Sequence, residues 1–237
     1  FARLFSDNLF QKSLANTFGF SILYVPAVII LSLGVALLLN RKIRGVGLFR
    51  VIYFLPVVSS AVAVGLVWSW IYARDTGVLN TTLASFGIPA VNWLGTQNAL
   101  VSVVIVNVWG AIGEGMIIFL AGLQAVPREY YEAADVDGAN GWRKFWHITL
   151  PLLVPSIFFQ TIISTINAFQ AFEFIYVLTR TAGGGSSVPT LVFSIYRTGF
   201  DFFRMGSASA QAIVLTVIIF VLTLVYFRLQ RRWTSYD

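Results

Sequence analysis

Five side chains interrupt stretches otherwise built from Leu, Ile, Val and Phe: the carboxylates Glu114 and Glu173 and the carboxamides Asn107, Asn167 and Gln170. Polar and ionisable groups are expensive in such surroundings, so each is a candidate for handling a solute or a proton. A carboxylate can accept from a hydroxyl or carry a proton, and a carboxamide both donates and accepts, which suits hydroxyl-rich ligands. At about 100° per residue, Asn107, Gly110, Ala111 and Glu114 fall within about 100° of one another and give one polar, small face. Ser156, Gln160, Ser164 and Asn167 fall within about 80°, with Gln170 at the edge, and such a stripe is expected to face the interior of a bundle. Glu173 is rotated well away from that stripe. Each acid has a plainer reading: for Glu114, helix-packing glue against a polar neighbour, and for Glu173, an interfacial carboxylate paired with a cation such as Arg180.

A second constellation lies in "PREYYEAADVDGANGWRKFWHITLP", residues 127–151, with four acids, three bases and a histidine between two apolar stretches. Pro127 suits a first helical position, and Glu129 and Glu132 fall near the positive end of the helix dipole. Tyr131, Ala134 and Gly138 share a face with Ala133 beside them, a small-residue surface that another molecule can approach closely. Gly138, Asn140 and Gly141 form a stop and a turn. A second short helix then returns through "WRKFWHITLP", with Trp142 and Trp146 as interface anchors. Docking to another protein and simple connection of two helices are both open on these grounds. Asp135 and Asp137 have no further acid or histidine at metal-ligating spacing, and His147, the single histidine, stands beside Arg143 and Lys144 as a loop residue. The absence of cysteine excludes disulfides, thiolate metal sites and a thiol nucleophile.

The elements that hold these residues are set by hydrophobicity. Of 237 residues, 57% are apolar and 11% charged, with a mean hydropathy of +0.79; soluble domains run near 45–50% and about 25%. The chain is therefore an integral membrane protein. Five segments are long enough to cross a hydrocarbon layer of about 30 Å: roughly Phe18–Leu39, Val51–Tyr72, Ala99–Leu123, Leu150–Val177 and Ala208–Phe227. In a soluble protein a net charge of +6 would suggest nucleic acid; here it is loop charge. Arg41, Lys42, Arg44, Arg50, Arg128, Arg143, Lys144, Arg228, Arg231 and Arg232 gather on one side, against six more dispersed cations on the other. Residues 127–151 are thus expected in the cytoplasm. The first residue then lies outside, which implies a further span upstream and six in the full protein. The connection "ARDTGVLNTTLASFGIPAVNWLGTQ" reads as an interfacial helix with Trp93 at headgroup depth. The "GGGSS" run reads as a flexible linker and not a phosphate loop, since no Gly-Lys-Ser/Thr follows.

The segment "EAADVDG" (132–138), followed by nine residues and then "ITLP" (148–151), resembles the Glu-Ala-Ala loop of permease subunits in binding-protein-dependent ABC importers. The fixed positions of that motif, Glu132, Ala133, Ala134, Gly138, Ile148, Leu150 and Pro151, are all present. Asp137 and Ala139, "SLANTFGF", "LLLNRKIRG" and "VIYFLPVVSSAVAVGLVWSW" further resemble the sugar-permease branch, and the similarity covers essentially the whole chain.

The resemblance implies an all-α membrane domain over residues 1–237 in a prokaryotic inner membrane, with a cytoplasmic coupling loop at 127–151. It implies that Glu132 makes a polar contact to an ATP-hydrolysing subunit, Ala133 and Ala134 the close approach, and Gly138 the turn, with Asp137 also counted among the coupling residues. ATP and Mg²⁺ then belong to that partner, and this chain carries no cofactor. Further partners implied are a second, homologous permease subunit and an extracytoplasmic solute-binding protein, with no nucleic acid. The solute would be a sugar, oligosaccharide, polyol or glycerol phosphate ester, with Asn107, Glu114, Asn167, Gln170 and Glu173 as pathway residues. Two other readings remain: a proton-coupled secondary transporter using Glu114 and Glu173 as a relay, and an ABC permease for an amino acid or ion.

Overall fold

The computed structural model describes residues 2–41, 44–181 and 188–233. The expected linker at 183–187 and Lys42 of the basic cluster lie outside these residues. Among the described residues every regular element is helical. A short α1 (Ala2–Phe5) leads into α2 (Asn8–Leu39), whose start is fixed by Asp7 accepting the Leu9 amide proton at 2.8 Å. At about 1.5 Å per residue, the 32 residues of α2 reach about 48 Å. It therefore overshoots the expected span at its N-terminal end.

The second expected span, Val51–Tyr72, is not straight. It divides into α3 (Val46–Val58) and α4 (Ala61–Ile71), bent by 98° at Ser59 and Ser60. Pro56 has no N–H to donate, which frees the Ile52 carbonyl one turn earlier in α3. Ser59 and Ser60 then adopt extended backbone, with ψ of 149° and 120°. The Ser59 hydroxyl donates to the Leu55 carbonyl at 2.7 Å, and the Ser60 carbonyl accepts the Val64 amide at 3.0 Å. The two serines thus supply partners for backbone groups on either side of the break, the kind of compensation that interrupted helices at membrane depth use.

After α5 (Val78–Ser85) comes α6 (Ala99–Ala125), then α7 (Arg128–Val136), α8 (Gly141–Lys144) and α9 (Leu150–Leu152). Between the last two lies one i→i+5 turn, Phe145–Thr149, closed by the Leu150 amide on the Phe145 carbonyl. The chain re-enters through α10 (Val154–Phe169) and α11 (Glu173–Thr181), turns through α12 (Leu191–Tyr196), and ends in α13 (Met205–Trp233). Among the described residues four stretches are long and apolar enough to cross a membrane: Asn8–Leu39, Ala99–Ala125, Val154–Arg180 and Met205–Leu229. The bent α3–α4 pair meets the same length and hydropathy requirement when its two helices are taken together.

α2 is central. Its Phe20, Tyr24 and Val28 pack with Val103, Val106 and Val108 of α6 and Ile175 and Leu178 of α11. Its Leu33, Ala36 and Leu39 meet Met116, Phe119 and Leu123 of α6 and Leu153. Gly113 lets α6 cross α3 closely: a Cβ there would overlap the Tyr53 carbonyl oxygen and lie 2.9 Å from the Phe54 Cα. On α13 only 6% of the most apolar window is buried, leaving a surface suited to lipid or another apolar chain.

The 73–98 connection is tied down by one side chain. Asn80, 4% exposed, donates to the carbonyls of Arg74 (3.0 Å) and Val91 (2.9 Å) and accepts from the Val91 amide and Trp93 Nε1, both at 3.0 Å. The Trp93 ring turns in against Tyr72, with centroids 5.9 Å apart.

Candidate functional site

The five polar residues singled out in the apolar stretches come together in adjoining clefts. One, of about 370 Å³, is lined by Asn107, Asn167, Gln170, Ala171, Phe172, Glu173 and Phe174. The other, of about 300 Å³, shares Asn107, Asn167, Glu173 and Phe174 and adds Glu114, Tyr24 and Ser59 among its walls. α6 supplies Asn107 and Glu114 one turn apart twice over, with Gly110 between them giving room for the Phe174 ring. Asn107 Nδ2 donates to the Val103 carbonyl at 2.8 Å, which fixes the amide. Asn167, Gln170 and Glu173 are exposed in this chain alone, whereas Asn107 and Glu114 are half-buried.

Glu173 reaches this cleft through a break that hydropathy conceals. On a continuous helix it would point away from Asn167; instead α10 ends at Phe169, and α11 begins at Glu173. The Gln170 and Ala171 amides close onto the carbonyls of Ile166 and Ala168, and the regular ladder resumes only at Glu173. Glu173 sits in the first turn of α11, where the helix dipole favours a carboxylate. The expected pairing with Arg180 is absent from the described contacts: Arg180 lies 3.8 Å from Asp201 and over the Tyr176 ring. Only the upper part of the α10 stripe lines the cleft. Gln160 and Ser164 are buried between helices, joined by a 3.0 Å hydrogen bond. Ser59 and Tyr24 were not singled out from the sequence. The Pro56 and Ser59–Ser60 pattern was the available signal for Ser59.

The second constellation forms a compact bracket. α7 starts at Arg128, one residue later than expected, with Pro127 extended at the cap position. It ends in a two-bond cap: the Gly138 amide reaches the Asp135 carbonyl at 3.1 Å and the Ala139 amide the Ala134 carbonyl at 2.9 Å. Asp137 is the last capping residue, and Gly138 adopts φ +70°, which side chains with a Cβ disfavour. Asn140 then caps α8, its side chain accepting the Arg143 amide at 2.9 Å. Tyr131 shares a 2.9 Å hydrogen bond with Thr149 Oγ1, and Lys144 pairs with Asp135, clasping α7 to the return segment. This turns the expected face around. Tyr131 and Ala134 are half-buried toward the return segment, while Glu129, Glu132, Ala133 and Val136, within about 100° on the helix, point outward. Val136 is 89% exposed and Trp142 72%.

A family model described as binding-protein-dependent transport system inner membrane component matches residues 22–235. The trehalose/maltose transport system permease protein MalF of Thermococcus litoralis is 37% identical over 234 residues, covering 98% of this chain and 78% of that one. The sn-glycerol-3-phosphate transport system permease protein UgpA of Agrobacterium fabrum is 34% identical over 242 residues, covering 100% of this chain and 80% of that one. A chain in the crystal structure of a bacterial ABC transporter involved in the import of the acidic polysaccharide alginate matches with a TM-score of 0.89 at 27% identity, covering 99% of this chain and 83% of that one. A chain in the crystal structure of a bacterial alginate ABC transporter in complex with an alginate pentasaccharide-bound periplasmic protein matches with a TM-score of 0.89 at 27% identity, covering 99% of this chain and 82% of that one. The chain, a multi-pass membrane protein, therefore belongs to the family of binding-protein-dependent transport system inner membrane components, the permease subunits of ABC transporters.

Proposed function

We propose that this permease passes a carbohydrate-type solute, such as a sugar, oligosaccharide, polyol or glycerol phosphate ester, across a prokaryotic inner membrane. An extracytoplasmic protein delivers the solute, and a separate ATP-hydrolysing subunit, which holds ATP and Mg²⁺, drives alternation between inward-facing and outward-facing states. The observation that carries the reading is the open cleft of Asn107, Glu114, Asn167, Gln170 and Glu173. Three of these are exposed within a membrane-crossing stretch, where lipid contact with a carboxylate and two carboxamides is costly. That face accordingly closes against a second, homologous permease subunit, and the seam between them is the path. Its amides and carboxylates offer both donors and acceptors to hydroxyls. Membership of the family displaces the proton-coupled carrier, and the relatives named for sugars and glycerol phosphate favour a carbohydrate over an amino acid or ion.

α7 is the element that couples to the ATPase. Glu132, Ala133 and the exposed Val136 form its contact face, Asp137 and Gly138 shape its end, and Ala134 packs it onto the return segment. The test is reconstitution of the full-length chain with its partner subunits and binding protein, followed by an ATPase screen across candidate sugars. Glu132→Ala is expected to abolish solute-stimulated hydrolysis while membrane insertion persists. Uptake that continues without ATP, or a purified transporter with no ATPase subunit, would overturn the reading.

A further inference from the structure

Resting on the reading of the cleft as a solute path, we infer that the path selects against negative charge, which narrows the proposed range to carbohydrates that are neutral or carry an amine and removes phosphate esters and uronates from it. Family membership leaves this open, since relatives are named for glycerol phosphate and for the acidic polysaccharide alginate as well as for neutral sugars. The walls of the clefts do not. Their described lining contains Glu114 and Glu173, the hydroxyls of Tyr24 and Ser59, the amides of Asn107, Asn167 and Gln170, and no Lys or Arg.

The neighbouring cations are engaged elsewhere. Arg180 and Arg197 converge on Asp201 at 3.8 and 3.9 Å, and their guanidinium groups lie over the rings of Tyr176, Phe193 and Phe202. An anion entering the cleft therefore meets two carboxylates and, among the described lining residues, no counter-charge. A neutral polyol finds acceptors for its hydroxyls, and a protonated amine finds a partner in either acid. One carboxylate about 6 Å away in water-like surroundings changes the local concentration of a monovalent ion roughly threefold, so it changes the ratio of a cation to an anion roughly tenfold.

Residues 1–237 contain no cysteine, so once any cysteines elsewhere in the assembly are replaced by serine a direct measurement is open. Ala171→Cys, on the cleft wall, is introduced into the full-length chain in the assembled transporter, with Ser85→Cys on α5 as the aqueous control. Each is labelled with two thiol reagents of similar size, one bearing an ammonium and one a sulfonate. Relative to the control, the ammonium reagent is expected to label the cleft cysteine roughly tenfold faster, and Glu173→Gln or Glu114→Gln to shrink that ratio. At equal concentration, glucosamine is expected to slow labelling more than glucuronate. Equal or faster labelling by the sulfonate, or equal protection by glucuronate, overturns the charge inference and leaves the path in place. A cleft cysteine that neither reagent reaches, while the control reacts, overturns the path itself. Ala111→Cys, beside Glu114, repeats the measurement where Ala171→Cys does not assemble.

Discussion

Replacing Gly138 with alanine isolates a backbone effect at the point where α7 turns back. The residue has φ +70°, and a Cβ built there meets nothing within 4 Å in this chain, so the substitution adds no clash. What it adds is the cost of the left-handed conformation, roughly 1–2 kcal/mol for a residue with a Cβ. That cost falls on the two hydrogen bonds closing α7, Gly138 to Asp135 and Ala139 to Ala134, in a helix with no buried residue, clasped elsewhere by the Tyr131–Thr149 bond and the Lys144–Asp135 pair. A penalty of 1–2 kcal/mol lowers the population of the closed turn by about five- to thirtyfold. Amide hydrogen exchange over residues 134–140 is expected to accelerate by about that factor, and solute-stimulated ATPase activity in the reconstituted transporter to fall with it. Gly138→Asn is expected to lose less, because Asn enters the left-handed region more readily. If Asn were as damaging as Ala, or if Ala left exchange unchanged, the conformational argument would fail. A leucine that loses far more than alanine would report a docked surface close to this turn.

Other expectations follow from single contacts. Gly113→Ala places a Cβ on the Tyr53 carbonyl and is expected to cost about 1–3 kcal/mol through overpacking, whereas Gly34→Ala, mid-helix with open space around it, is expected to be neutral or stabilising by up to about 1 kcal/mol. Thermal unfolding in detergent distinguishes the pair. Asn80→Ala leaves the carbonyls of Arg74 and Val91, the Val91 amide and Trp93 Nε1 without their partner, a loss of about 2–4 kcal/mol expected as faster proteolysis between residues 74 and 93. Tyr131→Phe removes the clasp on Thr149 and is expected to loosen α7 by about 1 kcal/mol, measured as roughly fivefold faster exchange of its amides.

Hydrophobicity was sufficient to place the spans, because crossing a membrane demands long apolar helices whatever the packing. The polar residues were equally visible, since Glu114 or Asn167 in such a stretch is conspicuous. The sequence did not reveal where the helical ladder is interrupted. Windows of hydropathy average across Ser59–Ser60 and across 170–172, yet the first break bends α3 from α4 by 98° and the second separates Asn167 from Glu173 along a cleft that both line. An ideal-helix angle is meaningful only within an unbroken helix, so it describes Asn107 and Glu114, both on α6, and does not carry across the interruption to Glu173. The α7 face was misassigned for a different reason. Small residues mark close approach without saying to what, and the Tyr131–Thr149 bond takes that face for the chain itself. Arg180 likewise found Asp201, more distant in sequence than Glu173 and beyond any local pattern.

The latch on the 73–98 connection has a kinematic consequence. Asn80 binds both ends of the connection, the Trp93 carbonyl accepts from Ser102 at 2.7 Å, and Tyr72 donates to the Ser102 carbonyl at 3.0 Å. The connection thus has no joint of its own and is riveted to the first turn of α6. Any tilt of α6 is carried undiminished to that surface, so residues 74–98 behave as a pointer fixed to a shaft. A pair of spectroscopic labels on Ser85 and a static partner would read the angle of α6 directly from outside the bilayer.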